Sequence, residues 1–172
     1  CGNELSATFT TSAYGAPLER STSELYGKVF TLDWPTATFT EPPLIGAFLG
    51  GYLTYALLAG IADVHDEELT LLVAHGVWDE DGVAFQDMGV CPYDFPPADF
   101  IGRPFFAADT EILEIYFNSG SGGVDIPLHD VILEGTISPD ASSIGGAAIS
   151  GLLETSTLGP LIDLTGSGDG LG

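Results

Sequence analysis

The clearest alternation of apolar and polar positions lies in residues 123–155, GVDIPLHDVILEGTISPDASSIGGAAISGLLET. Two β-rich runs flank Ser138-Pro139-Asp140-Ala141-Ser142-Ser143, where proline and aspartate favour a turn and hydroxyl side chains can bond back to the backbone. The pattern predicts a β-hairpin. In its first run His129, Val131, Leu133 and Ile137 share one face with Gly135, while Asp130, Ile132, Glu134 and Thr136 share the other, so one side is expected to be buried.

The same period recurs upstream. Leu5, Ala7, Phe9 and Thr11 alternate with Ser6, Thr8, Thr10 and Ser12, as in a half-buried strand. A second strand is expected over 25–34, stopped by Pro35, which cannot donate to a sheet ladder. Residues 36–40 resemble residues 6–10 in composition and read as a similar strand, not an internal repeat. Residues 42–62 contain no charged side chain, a length that suffices to cross a bilayer as a helix. Four glycines, two leading prolines, acidic flanks at Glu41 and Asp63, and no Lys or Arg argue against a span. The reading adopted is a short helix over 44–53 passing into a core strand over 55–64.

A polar turn over 63–68 leads to a strand over 69–78, with Leu69, Leu71, Val73, His75 and Val77 on one face. A tight turn over 79–82 and a returning strand over 83–88 complete a three-stranded meander. Residues 91–104, CPYDFPPADFIGRP, hold four prolines and three aromatic rings. They read as an ordered irregular loop, or a cover over one end of a barrel. A strand over 112–117, a glycine-serine turn over 118–123 and a closing helix over 158–164 complete the reading. The chain is thus expected to be all-β, an antiparallel β-barrel or β-sandwich of about eight to nine strands with one short helix and one long Pro/aromatic loop. Residues 4–165 would form a single domain, with 1–3 as a tether and 166–172 as a flexible tail.

Composition narrows the function classes. At 172 residues the chain can bury roughly two-thirds of its unfolded surface without covalent staples. Three basic against 25 acidic residues give a formal net charge of −22, which would repel a phosphate backbone and excludes nucleic acid as a partner. The same charge opposes docking on anionic lipid and suits high solubility, a divalent-cation atmosphere or a saline environment. The cysteines are Cys1 and Cys91. A first-position cysteine is what remains when the signal peptide of a bacterial lipoprotein is removed, so Cys1 is the candidate lipidation site and its acyl chains the route to a membrane. A trimmed chain or a Cys1–Cys91 disulfide are the alternatives.

Candidate chemistry is sparse. His75 and His129 could share a metal if both pointed inward on adjacent strands, yet His65, His75 and His129 show no metal-ligand spacing. Asp79, Asp81 and Asp87, with Glu80, concentrate hard oxygen donors near turns, which makes calcium the candidate cofactor, although the spacing does not match an EF-hand loop. A second acidic group comprises Asp63, Asp66, Glu67 and Glu68. Glu114 and Glu134 could pair as catalytic carboxylates. There is no nucleophile elbow and no phosphate-binding glycine loop, and Cys91 has no cationic neighbour in sequence to activate it. No catalytic residue is assigned, and the chain is expected not to be an enzyme. For partner binding, Tyr93, Phe95, Phe100, Phe105 and Phe106 offer aromatic anchors, with the apolar run 44–62 beside them.

Residues 38–43 (TFTEPP), 69–72 (LTLL), 95–100 (FPPADF) and 133–155 (LEGTISPDASSIGGAAISGLLET) together resemble an uncharacterised group of secreted lipoproteins of myxobacteria and related bacteria. Members of that group usually carry a further cysteine-containing tail, whereas this chain ends Gly-Ser-Gly-Asp-Gly-Leu-Gly. The resemblance implies export and lipidation, and no activity. The expectation from sequence is a non-catalytic cell-envelope or extracellular lipoprotein acting as a structural or binding module. A self-assembling subunit of a surface layer or filament and a calycin-like carrier of a small apolar ligand are the alternatives.

Overall fold

The computed structural model describes residues 2–10, 12–41, 51–65, 67–118 and 123–154. The chain forms ten strands: β1 (Gly2–Thr8), β2 (Val29–Asp33), β3 (Thr38–Glu41), β4 (Ala56–His65), β5 (Glu68–Trp78), β6 (Ala84–Gln86), β7 (Tyr93–Asp99), β8 (Phe105–Asn118), β9 (Gly123–Ile137) and β10 (Ile144–Glu154). One antiparallel sheet has the order β3-β1-β10-β9-β8. The other has the order β2-β4-β5, with β6 and β7 both pairing β5. The two are open sheets packed as a sandwich, not a closed barrel, so of the two expected architectures the sandwich is the one formed.

Alternation makes the core. Leu57, Ala59 and Ile61 of β4 and Leu69, Leu71 and Val73 of β5 face Leu113, Ile115 and Phe117 of β8 and Val131 and Leu133 of β9 in a single buried cluster. Trp34 sits in the short 3-10 turn Trp34–Thr36 that carries the chain from one sheet to the other. Its side chain is fully buried, with Phe9 at 5.1 Å and Phe39 stacked at 6.0 Å between ring centroids.

The hairpin expected over 123–155 is present as β9 and β10. Its turn is built as the residue types require: the Ser138 hydroxyl accepts from the backbone N–H of Ser142 and Ser143, while Asp140 Oδ1 accepts both the Ser138 and Ser142 hydroxyls at 2.8 Å. These hydroxyls hold the Asp140 carboxyl down to about 2, below its ordinary 3.8. A carboxylate stabilised in this way favours the folded state above its unfolded pKa, and that contribution is lost as pH falls through the folded one. The stability gap between the wild type and Asp140→Ala should therefore be constant above about pH 4 and narrow toward about pH 2 in urea titrations. A gap unchanged at the acid end would show that the charge is irrelevant to the turn.

Several expectations are corrected. His129 does not share the inward face of Val131 and Leu133. Asp130 adopts φ 50° and the β9–β10 register slips between Ser150 and Leu152, so the bulge turns His129 outward and makes Ile126 and Leu128 the buried residues before it. The Pro/aromatic segment 91–104 is not one long irregular loop: half of it is strand β7, followed by a turn over 101–104. Its prolines fit because the register moves from Leu71↔Phe95 to Leu69↔Ala98, placing Pro96 and Pro97 in a bulge opposite Thr70. The strand expected over 112–117 begins seven residues earlier, at Phe105. Of the predicted helix over 44–53 only residues 51–53 are described, where Gly51 and Tyr52 lie in a turn and Leu53 is buried. The rest of it, the helix over 158–164, the tail 166–172, the tip of the 118–123 turn and Cys1 lie outside the described residues. Among the described residues no helix is long and apolar enough to cross a membrane.

Candidate binding site

At one end of the sandwich, the start of β4, the end of β5, the segment after β6 and the β8–β9 hairpin converge on a cleft of about 530 Å³. Its principal side chains are Tyr55, His75, Trp78, Asp87, Tyr116 and Asp125. The reason for each position is local. Tyr55 and His75 occupy inward-facing positions in phase with Leu57 and Val73. Trp78 is the last residue of β5, beyond the reach of the core, and remains 37% exposed. Tyr116 and Asp125 are cross-strand partners on β8 and β9. The Tyr116 ring lies across Gly123, where an added Cβ would overlap it, so the glycine makes room for the ring.

Behind the cleft is a polar network. His75 Nε2 lies 2.9 Å from the Glu114 carbonyl oxygen, which can only accept, so Nε2 carries the proton. The Tyr116 backbone N–H donates to the Tyr55 hydroxyl at 3.1 Å, and the Tyr93 hydroxyl donates to Glu114 Oε2 at 3.2 Å. The His75 ring sits 4.7 Å from Tyr55 and 6.1 Å from Tyr93, both tilted by 42°. Burial pushes the Tyr93 phenol up to about 12, with the Glu114 and Asp125 carboxylates adding to the rise. Burial also holds the Tyr55 phenol far above its ordinary range, although the Tyr116 N–H opposes it. The Trp34 indole is within electrostatic reach of the Tyr55 hydroxyl, but its N–H makes no hydrogen bond of acceptable geometry. The back wall is therefore made of interlocked rings, and the carboxylates of Asp87 and Asp125 line the cleft beside them.

The residues expected from sequence are distributed differently. Of the proposed calcium ligands, Asp79 Oδ1 accepts the N–H groups of Asp81 and Val83, and Asp87 Oδ1 accepts that of Gly89. Asp79 folds the turn around Gly82, which has φ +76°, and Asp87 folds a separate turn over 87–90. Asp81 is exposed beside them, and no three His, Cys, Asp or Glu side chains gather as a metal site among the described residues. His75 is buried between the sheets whereas His129 is exposed on the outside of the other sheet, so the structure does not bring the two rings together. Glu114 pairs with Pro127 and Glu134 with Ala107. They lie seven positions apart along β8, about 23 Å at the usual strand rise, so they do not form a carboxylate pair.

Among the aromatic anchors, Phe95, Phe100 and Phe106 are core residues and cannot serve as a partner surface, while Tyr93 is half-buried and Phe105 is exposed. Much of the apolar run is likewise core: Ala56, Leu57, Leu58, Ala59 and Ile61 are all buried. Cys91 is exposed with a free thiol.

Tyr55, Trp78, Tyr116 and Asp125 were not legible as site residues. The one sequence signal for Tyr55, Trp78 and Tyr116 is an aromatic ring near a strand end; Asp125 carries none. A second concavity of about 390 Å³ lies on the outer face of the β2-β4-β5 sheet, between Val29, Leu58, Leu72, Ala74, Phe85 and Pro92. It is almost wholly apolar and brings no titratable group to its walls. Compared with known proteins, the chain matches no family model, no curated protein and no solved structure.

Proposed function

We propose that the protein is a non-catalytic, extracytoplasmic binding module whose ligand seats in the cleft at the β8–β9 end of the sandwich. The observation that carries this reading is the pairing of two partly exposed rings, Trp78 and Tyr116, with two carboxylates, Asp87 and Asp125, over a rigid wall of buried rings. Binding sites are typically concave, ring-lined and furnished with a few placed polar groups. The charge of −22 and the resemblance to secreted lipoproteins support the location.

Trp34 is buried and Trp78 exposed, so a ligand in the cleft would perturb the emission of Trp78 selectively. A panel of glycans, amino acids, organic cations and fatty acids should contain at least one compound that changes tryptophan fluorescence saturably. The change should be absent in Trp78→Phe. A panel without any saturable, Trp78-dependent response would refute the reading.

A further inference from the structure

We infer that the cleft selects an organic ammonium cation over neutral and anionic ligands, an inference that rests on the cleft being the ligand seat. Two carboxylates, Asp87 and Asp125, line it together with Tyr55, Trp78 and Tyr116, and no Lys or Arg is among the lining residues. The chain has only three basic residues. Arg20 pairs with Glu24 at 3.4 Å, Arg103 lies over the Phe100 ring at 5.7 Å, and Lys28 sits in the turn before β2. Internal cations therefore do not neutralise the cleft.

Three physical terms favour the same ligand. Ring faces attract a cation through their quadrupole, most strongly when the cation is weakly hydrated, as substituted ammonium ions are. Asp125 and the remaining oxygen of Asp87 supply opposite charge in the cleft; Asp87 Oδ1 is already engaged by the Gly89 N–H at 2.8 Å. The field of a chain carrying −22 concentrates cations at a low-dielectric concavity and depletes anions. A bare metal ion would instead need several convergent oxygens, and no three metal-binding side chains gather among the described residues.

The test uses the intact protein with tetramethylammonium, choline and spermidine, each compared with 3,3-dimethylbutan-1-ol, the uncharged isostere of choline, at matched ionic strength. At least one ammonium compound should saturate the Trp78 signal and bind roughly tenfold or more tighter than the alcohol, with affinity falling as salt is raised. Asp125→Asn, at an exposed position, should weaken binding by roughly tenfold without altering the unfolding midpoint, and it keeps the test open if Trp78 variants fold poorly. If the alcohol or a neutral glycan binds as well as the ammonium compounds, or Asp125→Asn binds unchanged, the cation inference is wrong and the binding reading stands. If no compound of any charge produces a Trp78-dependent signal, both fall.

Discussion

Phe106→Ala is expected to destabilise the protein by about 3–5 kcal/mol, whereas Phe105→Ala, one residue earlier, should change stability by no more than about 0.5 kcal/mol. The two residues share a strand, a residue type and nearly the same cross-strand neighbourhood; they differ in which way the pleat points them. Phe106 is 1% exposed and stands opposite Gly135, where Ile144 takes the space a side chain would fill and the Phe106 ring packs beside it. Its removal would leave a cavity under the β8–β9 ladder, bounded by a glycine that cannot fill it. Phe105 is 48% exposed on the outer face. Equilibrium unfolding in urea would separate the two variants. Reversed costs would mean that β8 is out of register by one residue and that Phe106, not Phe105, is available to a partner; equal costs would mean that both rings are packed to the same degree.

Trp34→Ala should be comparably severe, costing about 3–5 kcal/mol. That is a large part of the roughly 5–15 kcal/mol that holds an ordinary domain together. Trp34 fills the gap where the chain changes sheets, and its removal would uncouple Phe39 of one sheet and Phe9, just past the end of β1, from Leu32 of the other sheet, all members of or packed on one core. A fall of roughly 10 °C in the thermal midpoint is expected. Trp34→Phe should cost far less, because it keeps most of the ring volume and removes an indole N–H that has no hydrogen-bond partner. A Trp34→Phe variant as unstable as Trp34→Ala would show that the indole N–H makes an interaction essential to the core.

Strand identity was largely legible in the chain because period-two alternation is a local property. β4, β5 and the β9–β10 hairpin follow from it directly, as does the Ser138–Ser143 turn. What alternation cannot encode is a change of phase within a strand. The inserted residue at Asp130 reverses the alternation, so His129 was assigned to the wrong face although its strand was correctly placed. Pro96 and Pro97 suggested a loop because a proline in a strand is tolerated only where its missing donor is not required, and that depends on which strand lies alongside. The length of β8 was hidden for a similar reason: Asp109 and Glu111 are polar on a strand whose outer face meets solvent. The cleft was the least legible feature, since residues 55, 75, 78, 87, 116 and 125 meet only through the packing of two sheets.

The bulge that admits Pro96 and Pro97 also bears on colloidal behaviour. β7 ends its sheet beside β5, with β8 of the facing sheet running close along it and tied to it by the Tyr93–Glu114 hydrogen bond; a terminal strand normally offers its N–H and C=O groups as a template for fibril growth. Two consecutive residues without N–H groups interrupt that template at the middle of the strand. The other long border, β8, bears Asp109, Glu111 and Glu114, which would face like charges on an incoming identical strand. The remaining borders, β2, β3 and β6, are five, four and three residues long. Among the described strands, short borders, paired prolines and like charges therefore all work against amyloid-like extension.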